Sequence, residues 1–262
     1  MNLNSLKTFW ALFYKEMVTF KSDHLRVVIN SLFWFTAVLI PPMFFLTHIG
    51  LPDNYCQMIV PVGIASWGMF DIMANATSLI GDILGDKVIE YQLVLPLPQW
   101  AVFVKIACAN AYRSFAASIF MIPIGMVIVY LGTGYPFPEF SIVKSIGMLL
   151  IANLFYGFLG LFGASFMDKI TDIRNVWMRI LFPLWYVGGF LNSWEVMDKA
   201  SPFFAKCMLL NPVMYISEGM RAAMLGQQGF LNYWVCLGVI ILSMIILGTV
   251  AVLRFKKRLD CI

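Results

Sequence analysis

RILFPLWYVGGFLNSWEVMDKASPFFAKCMLLNPVMYISEGMRAAMLG, residues 179–226, is the stretch on which the reading of this chain turns. It opens as an apolar run, breaks into a polar link at 192–201, and resumes half apolar with Asn211-Pro212 in its middle and Arg221 near its end. Its first part, with the residues just before it, gives an apolar span at 177–194. Its second part, 203–226, is too polar for a plain span and too apolar for a free loop. Irregular backbone at membrane depth survives only where it is buried in protein or lines a cavity. Pro212 ends one helix and suits the first turn of the next, so the segment predicts two short helices folded about Asn211-Pro212. Glu218 and Arg221, three apart on the second helix, are spaced to pair. One reading is a re-entrant hairpin; the other is a further crossing of the membrane.

The rest of the chain says that there is a membrane to cross. Hydrophobic residues make up 61% and charged residues 12% of the sequence, against roughly 25% charged in soluble domains. With a mean hydropathy of +0.82, hydrocarbon is the main solvent. In units of roughly 20 apolar residues per crossing, 262 residues hold about six spans and no large soluble domain beside them. The expected fold is therefore all-α and polytopic, with spans at 27–47, 57–80, 113–131, 144–166, 177–194 and 231–253. Residues 1–25 carry Leu3, Leu6, Trp10, Phe13, Met17 and Phe20 at helical spacing between Lys7, Lys15 and Glu16, which predicts an amphipathic helix at the membrane surface. They have no continuous apolar core or small-residue cleavage site of a signal peptide. In the fourth span, Gly157, Gly160 and Gly163 form a smooth ridge for close helix approach.

Orientation follows from where the cations fall. With both termini in the cytoplasm, the inner segments collect Lys7, Lys15, Lys21, Arg26, Lys87, Lys105, Arg113, Lys169, Arg174, Arg179, Arg254, Lys256, Lys257 and Arg258. The outer segments keep Lys144, Lys199, Lys206 and Arg221. That distribution predicts six crossings and sets the 203–226 hairpin on the outer face. A seventh crossing would carry RFKKR, residues 254–258, to the outside.

No catalytic constellation is present in the sequence. His24 and His48 sit near opposite faces and cannot share a metal, and GDILGDK at 81–87 lacks the spacing of a phosphate loop. The five cysteines form no CxxC pair and suit apolar filling, with Cys56 and Cys207 alone near one surface. Asp71 lies inside the second span, where a carboxylate either bonds neighbouring helices, with Asn75 as a partner, or lines a transport path. Lys105 and Arg113 either snorkel to the inner interface or read anionic headgroups or an anionic substrate. The twenty-residue break at 81–100 alternates Asp82, Asp86 and Glu90 with apolar residues before Pro96 and Pro98. It predicts a short amphipathic helix with a rigid exit, fit for a groove on a partner or for lying on the membrane.

In order, these parts resemble the membrane subunit of a type-2 ATP-binding-cassette exporter over almost the full length. The resemblance is carried by VIEYQLVLPLPQWAVFVKIACANAYRS, 88–114, with Glu90, Leu95-Pro96, Lys105 and Arg113, and by LLNPVMYISEGMRAAMLG, 209–226, with Asn211, Pro212, Arg221 and Gly226. It implies a permease, not itself an enzyme, in a bacterial inner membrane. Its second membrane subunit would be another copy, and two cytoplasmic ATPase subunits would bind the ATP and Mg. No cofactor on this chain and no nucleic-acid partner are implied, but membrane lipids are. It further implies that Asp86, Glu90, Leu95 and Pro96 belong to a coupling helix that meets the ATPase, and that the outer hairpin shields the exit. The substrate would be a glycan, lipid or drug. An ion-coupled carrier would need more intramembrane charges, and a lipid enzyme would need an acid, base or metal cluster.

Overall fold

The computed structural model describes residues 3–41, 55–85 and 87–259. Every regular element among them is helical. The distal end of the expected first span, the Pro52-Asp53 link, His48, Cys261 and the candidate Asp86 lie outside the described residues.

Helix α1, Leu3–Pro41, is a single helix of 39 residues, about 58 Å long at 1.5 Å per residue. A separate surface helix at 1–25 would need a break before residue 27, and there is none. The polar residues at that point are accommodated within the helix, Thr19 Oγ1 donating to the Lys15 carbonyl and Ser22 Oγ to the Thr19 carbonyl. Nothing there removes a backbone donor until Pro41.

Helix α2, Tyr55–Leu84, is the central rod, with most of its residues buried. After it come the short α3, Val88–Val94, and then α4, Gln99–Ser118, and α5, Met121–Thr133. The helical path through the expected third span thus begins fourteen residues before Arg113, at Gln99, so Lys105 lies within the helix. The joint between α4 and α5 falls where Pro123 supplies no N–H to the preceding turn. Helix α6, Ile142–Ala164, packs between α2, α4 and α12, which spans Tyr233–Leu259. The glycine ridge of α6 divides its work. A Cβ on Gly157 would run into the Ala107 carbonyl of α4, whereas Gly160 and Gly163 have room for one. Close approach therefore rests on Gly157. At the end of α12, Arg258 donates to the Met167 carbonyl at 2.8 Å, and the Arg254 guanidinium lies 3.7 Å over Phe166, tying the basic terminus of α12 to the end of α6.

Five described helical stretches are long and apolar enough to cross a membrane: 5–41, 55–84, 99–133, 142–164 and 233–258. The chain is a polytopic membrane protein. The expected span at 177–194 is built differently. Helix α7, Ile170–Val176, runs into a π-helical turn, Trp177–Leu181, then α8, Phe182–Trp185, then a second π-helical turn, Tyr186–Phe190. Pro183 interrupts the regular hydrogen-bond ladder, and wide π turns accommodate such interruptions. The rod is moored to α2 by Trp185 Nε1 donating to Ser66 Oγ at 2.8 Å and by Phe70, whose ring centroid lies 5.2 Å from Trp177 and 5.0 Å from Trp185.

Beyond the rod come α9, Trp194–Ala200, α10, Pro202–Met208, and α11, Pro212–Leu225. The backbone does break ahead of Pro212. Asn211 caps α11 by accepting from the Val213 N–H at 3.0 Å. Helix α11 is no surface flap: Ile216 through Met224 are buried without interruption, against α2, α6 and α12.

Candidate functional site

Among the described residues, the candidate side chains gather at three places: around α11, at the α2–α4 contact, and at α3.

Around α11 the expected pair forms. Arg221 NH1 donates to Glu218 Oε1 at 3.0 Å, and both side chains are 0% exposed. A buried ion pair stands only if its remaining donors and lone pairs are also met. Arg221 Nε donates to the Met58 carbonyl at 2.9 Å, and NH2 to the carbonyls of Gly189 and Phe190. Glu218 accepts the backbone N–H of Trp194 at 3.1 Å and of Leu231 at 3.2 Å. One ion pair thus joins the starts of α2 and α9, the approach to α12 and the end of the π-helical rod. Two more donors serve the same rod: Asn211 Nδ2 to the Leu184 carbonyl and Ser217 Oγ to the Gly188 carbonyl, both at 2.7 Å. The rod ends there because Gly189 takes φ +83°, a left-handed conformation with the Met214 sulfur standing where a Cβ would go. Helix α11 is therefore a polar splint on a helix that cannot satisfy its own carbonyls. Gly226, the last expected residue of the hairpin, follows α11 at φ +97°, with the Glu139 carboxylate filling its Cβ position. Ser217 and Trp194 are partners that the spacing of Glu218 and Arg221 does not disclose.

At the α2–α4 contact, Asp71 is buried and accepts from Ser114 Oγ at 2.8 Å and from Asn75 Nδ2 at 3.3 Å. Arg113 Nε lies 3.8 Å from the same carboxylate oxygen without making a hydrogen bond. Lys105, two turns away, is 2% exposed and donates to Glu16 Oε1 of α1 at 2.9 Å. The expected four residues divide accordingly: Asp71, Asn75 and Arg113 come together, while Lys105 staples α4 to α1. Ser114 and Glu16 complete these contacts, and neither was a candidate from sequence.

Helix α3 hangs beyond the end of α2 on a side-chain clamp. Asp82 accepts the N–H groups of Val88 at 3.0 Å and Ile89 at 2.9 Å, capping a helix that starts six residues later. Lys87, at φ +53°, makes the tight turn between them. The far side is held by α1, whose Ser5 Oγ donates to the Pro96 carbonyl at 2.9 Å. Ile89 faces inward, whereas Tyr91 is 74% and Val94 86% exposed. Glu90 pairs with Lys87 at 3.4 Å on the surface, and Leu95 turns the chain into extended backbone at the end of α3.

The profile of the ABC-2 type transporter family matches residues 7–225. Among curated proteins, the chain is similar to the inner membrane transport permease YadH of Escherichia coli K12 and to its counterpart in Shigella flexneri. Each is 27% identical over 173 residues, which is 66% of this chain and 64% of the relative.

Proposed function

The chain belongs to the ABC-2 type transporter family, and from that membership we propose that it is the membrane-spanning permease subunit of an ATP-driven exporter. Its substrate in this reading is amphipathic or lipid-linked: a glycan, a lipid or a drug. Two copies of a cytoplasmic ATPase subunit bind ATP and Mg, and a second copy of this chain completes the path. The permease sits in a bacterial inner membrane with both termini in the cytoplasm. The π-helical rod supplies the sixth crossing, since 170–190 extends about 30 Å at helical rise, the thickness of the hydrocarbon core. Helices α10 and α11 then form the outer re-entrant hairpin over the exit.

The observation that carries this reading is the tip of α3. An aromatic and an aliphatic side chain, Tyr91 and Val94, stand exposed on a seven-residue helix. That helix is gripped by Asp82 at its start and by α1 at its exit. Exposed apolar groups on a rigid mount suit a partner's groove, and movement of a partner there would pass directly into α2 and α4. The loop 81–100 thereby acts as the coupling element, to which Glu90, Leu95 and Pro96 belong, together with Asp86, which lies outside the described residues.

Co-purification tests this reading. An ATPase subunit expressed together with this chain should accompany it through detergent extraction, and Tyr91→Asp should abolish the association. Retention of the ATPase by that variant would remove the main support. Topology is tested separately: cysteines replacing Lys199 and Lys169, both exposed, should label with impermeant reagents only from outside and only from inside, respectively. Transport by this chain in liposomes without an ATPase, driven by an ion gradient, would favour a secondary carrier instead.

A further inference from the structure

Lys105 and Arg113 are two turns apart on α4, yet only the first is hydrogen-bonded to the carboxylate it faces. Lys105 is closed off by Glu16 at 2.9 Å. Arg113 is 36% exposed, its nearest carboxylate oxygen is 3.8 Å away, and its Nε is buried without a hydrogen bond. Asp71, the carboxylate in question, is already engaged by Ser114 and Asn75. The Arg113 guanidinium lies 5.7 Å over the Phe20 ring of α1. One helical turn further on, Asp23 carries a carboxylate with no ion pair or hydrogen bond among the described residues. Arg113, Phe20 and Asp23 line one cleft of about 280 Å³ between α1, α2, α3 and α4, and the orphaned Gln92 Oε1 lines it too. The cleft's other two acids are occupied, Glu16 by Lys105 and Asp82 by the start of α3.

A partly desolvated guanidinium without a close acceptor is an incomplete arrangement, and its planar fork suits a phosphate. A bare anion would also meet the Asp23 carboxylate. A ligand carrying a phosphate and, a short link away, an ammonium group would answer both charges. We propose that this cleft binds the headgroup of a phosphoethanolamine lipid, with Arg113 on the phosphate and Asp23 on the amine. The site does not depend on the export reading, because it is tested by binding.

The test reconstitutes the full chain in an equimolar mixture of phosphatidylethanolamine, phosphatidylglycerol and phosphatidylcholine. The protein is re-extracted in mild detergent and its retained lipid quantified. Wild type should retain phosphatidylethanolamine in preference, and Arg113→Gln should lower the amount of it retained about tenfold, the size of one lost charged hydrogen bond on the phosphate that all three lipids share. Asp23→Asn should erase the preference over phosphatidylglycerol while leaving the latter bound. Unchanged retention in Arg113→Gln overturns the proposal. If that variant does not fold, Asp23→Asn, at an exposed position, decides alone: an intact preference overturns it. Soluble phosphoethanolamine and inorganic phosphate are titrated in parallel. Stabilisation by inorganic phosphate alone, equal to that by the lipid, would make this a free-anion site and sink the lipid assignment.

Discussion

The two buried charge clusters of this protein solve the same electrostatic problem in opposite ways. Around α11, Glu218 and Arg221 are wholly buried and hydrogen-bond to each other and to backbone at or near the ends of several helices. At the α2–α4 contact, Asp71 is satisfied but Arg113 keeps a buried nitrogen without a partner and opens on a cleft. A closed network in a low dielectric fixes one geometry, because any displacement strands several groups at once. An open network leaves room for something that is not protein. The contrast teaches that charge at membrane depth is not one signal: saturation marks a joint and its absence marks a place where a ligand can complete the set.

The contrast can be broken at several points. Its largest expected effect is at Arg221. Arg221→Met would leave the Glu218 carboxylate and the carbonyls of Met58, Gly189 and Phe190 without their donor, a loss of about 3–5 kcal/mol. Thermal unfolding in detergent should show a collapse in stability or no folded protein, and a melting point within a few degrees of wild type would refute the closed network. Gly189→Ala should cost about 1–3 kcal/mol, since it puts a side chain at positive φ against Met214; an unchanged melting curve would mean that the rod ends elsewhere. At the Lys105–Glu16 staple, outside both clusters and half exposed at its carboxylate, the same class of change should be milder. Lys105→Met keeps the volume, and the Glu16 left behind is 44% exposed, so the shift should stay within about 1 kcal/mol. A loss as large as that of Arg221→Met would show that this half-exposed pair is held as tightly as the buried one. Smallest of all, Glu90→Gln on the surface of α3 should change stability by no more than about 0.5 kcal/mol. Its effect should appear in co-purification of the ATPase subunit, and a variant that bound as wild type would confine coupling to Tyr91 and Val94.

How much of this could be seen in the chain itself depends on the range of the interaction. Glu218 and Arg221 are one turn apart, so their pairing follows from helix geometry alone. That Arg221 also reaches Met58, 163 positions earlier in the sequence, cannot be seen locally, nor can the choice of Glu16 for Lys105, 89 positions away. The clamp from Asp82 to α3 was hidden for another reason. A cap ordinarily sits next to its helix, and here the left-handed turn at Lys87 lets a carboxylate six residues upstream do the capping. Where the expected surface helix gives way to the first span, α1 runs on unbroken, since the polar residues 21–24 remove no backbone donor. Of the three ridge glycines of α6, which one mattered was set by the neighbour across the gap, the Ala107 carbonyl.

The sequence by itself determined that this is an all-helical membrane protein, because apolar length and sparse charge are local quantities that no packing can overrule. It also carried the break at Asn211-Pro212, since a missing N–H acts on its own turn. Only the tertiary structure decided what 179–226 amounts to: a proline-distorted rod whose carbonyls are satisfied by a helix from beyond the following turn. It alone separated Lys105 from Arg113, chemically alike and two turns apart. Which cation is hydrogen-bonded to a carboxylate depends on what another helix brings within about 3 Å, the reach of a hydrogen bond.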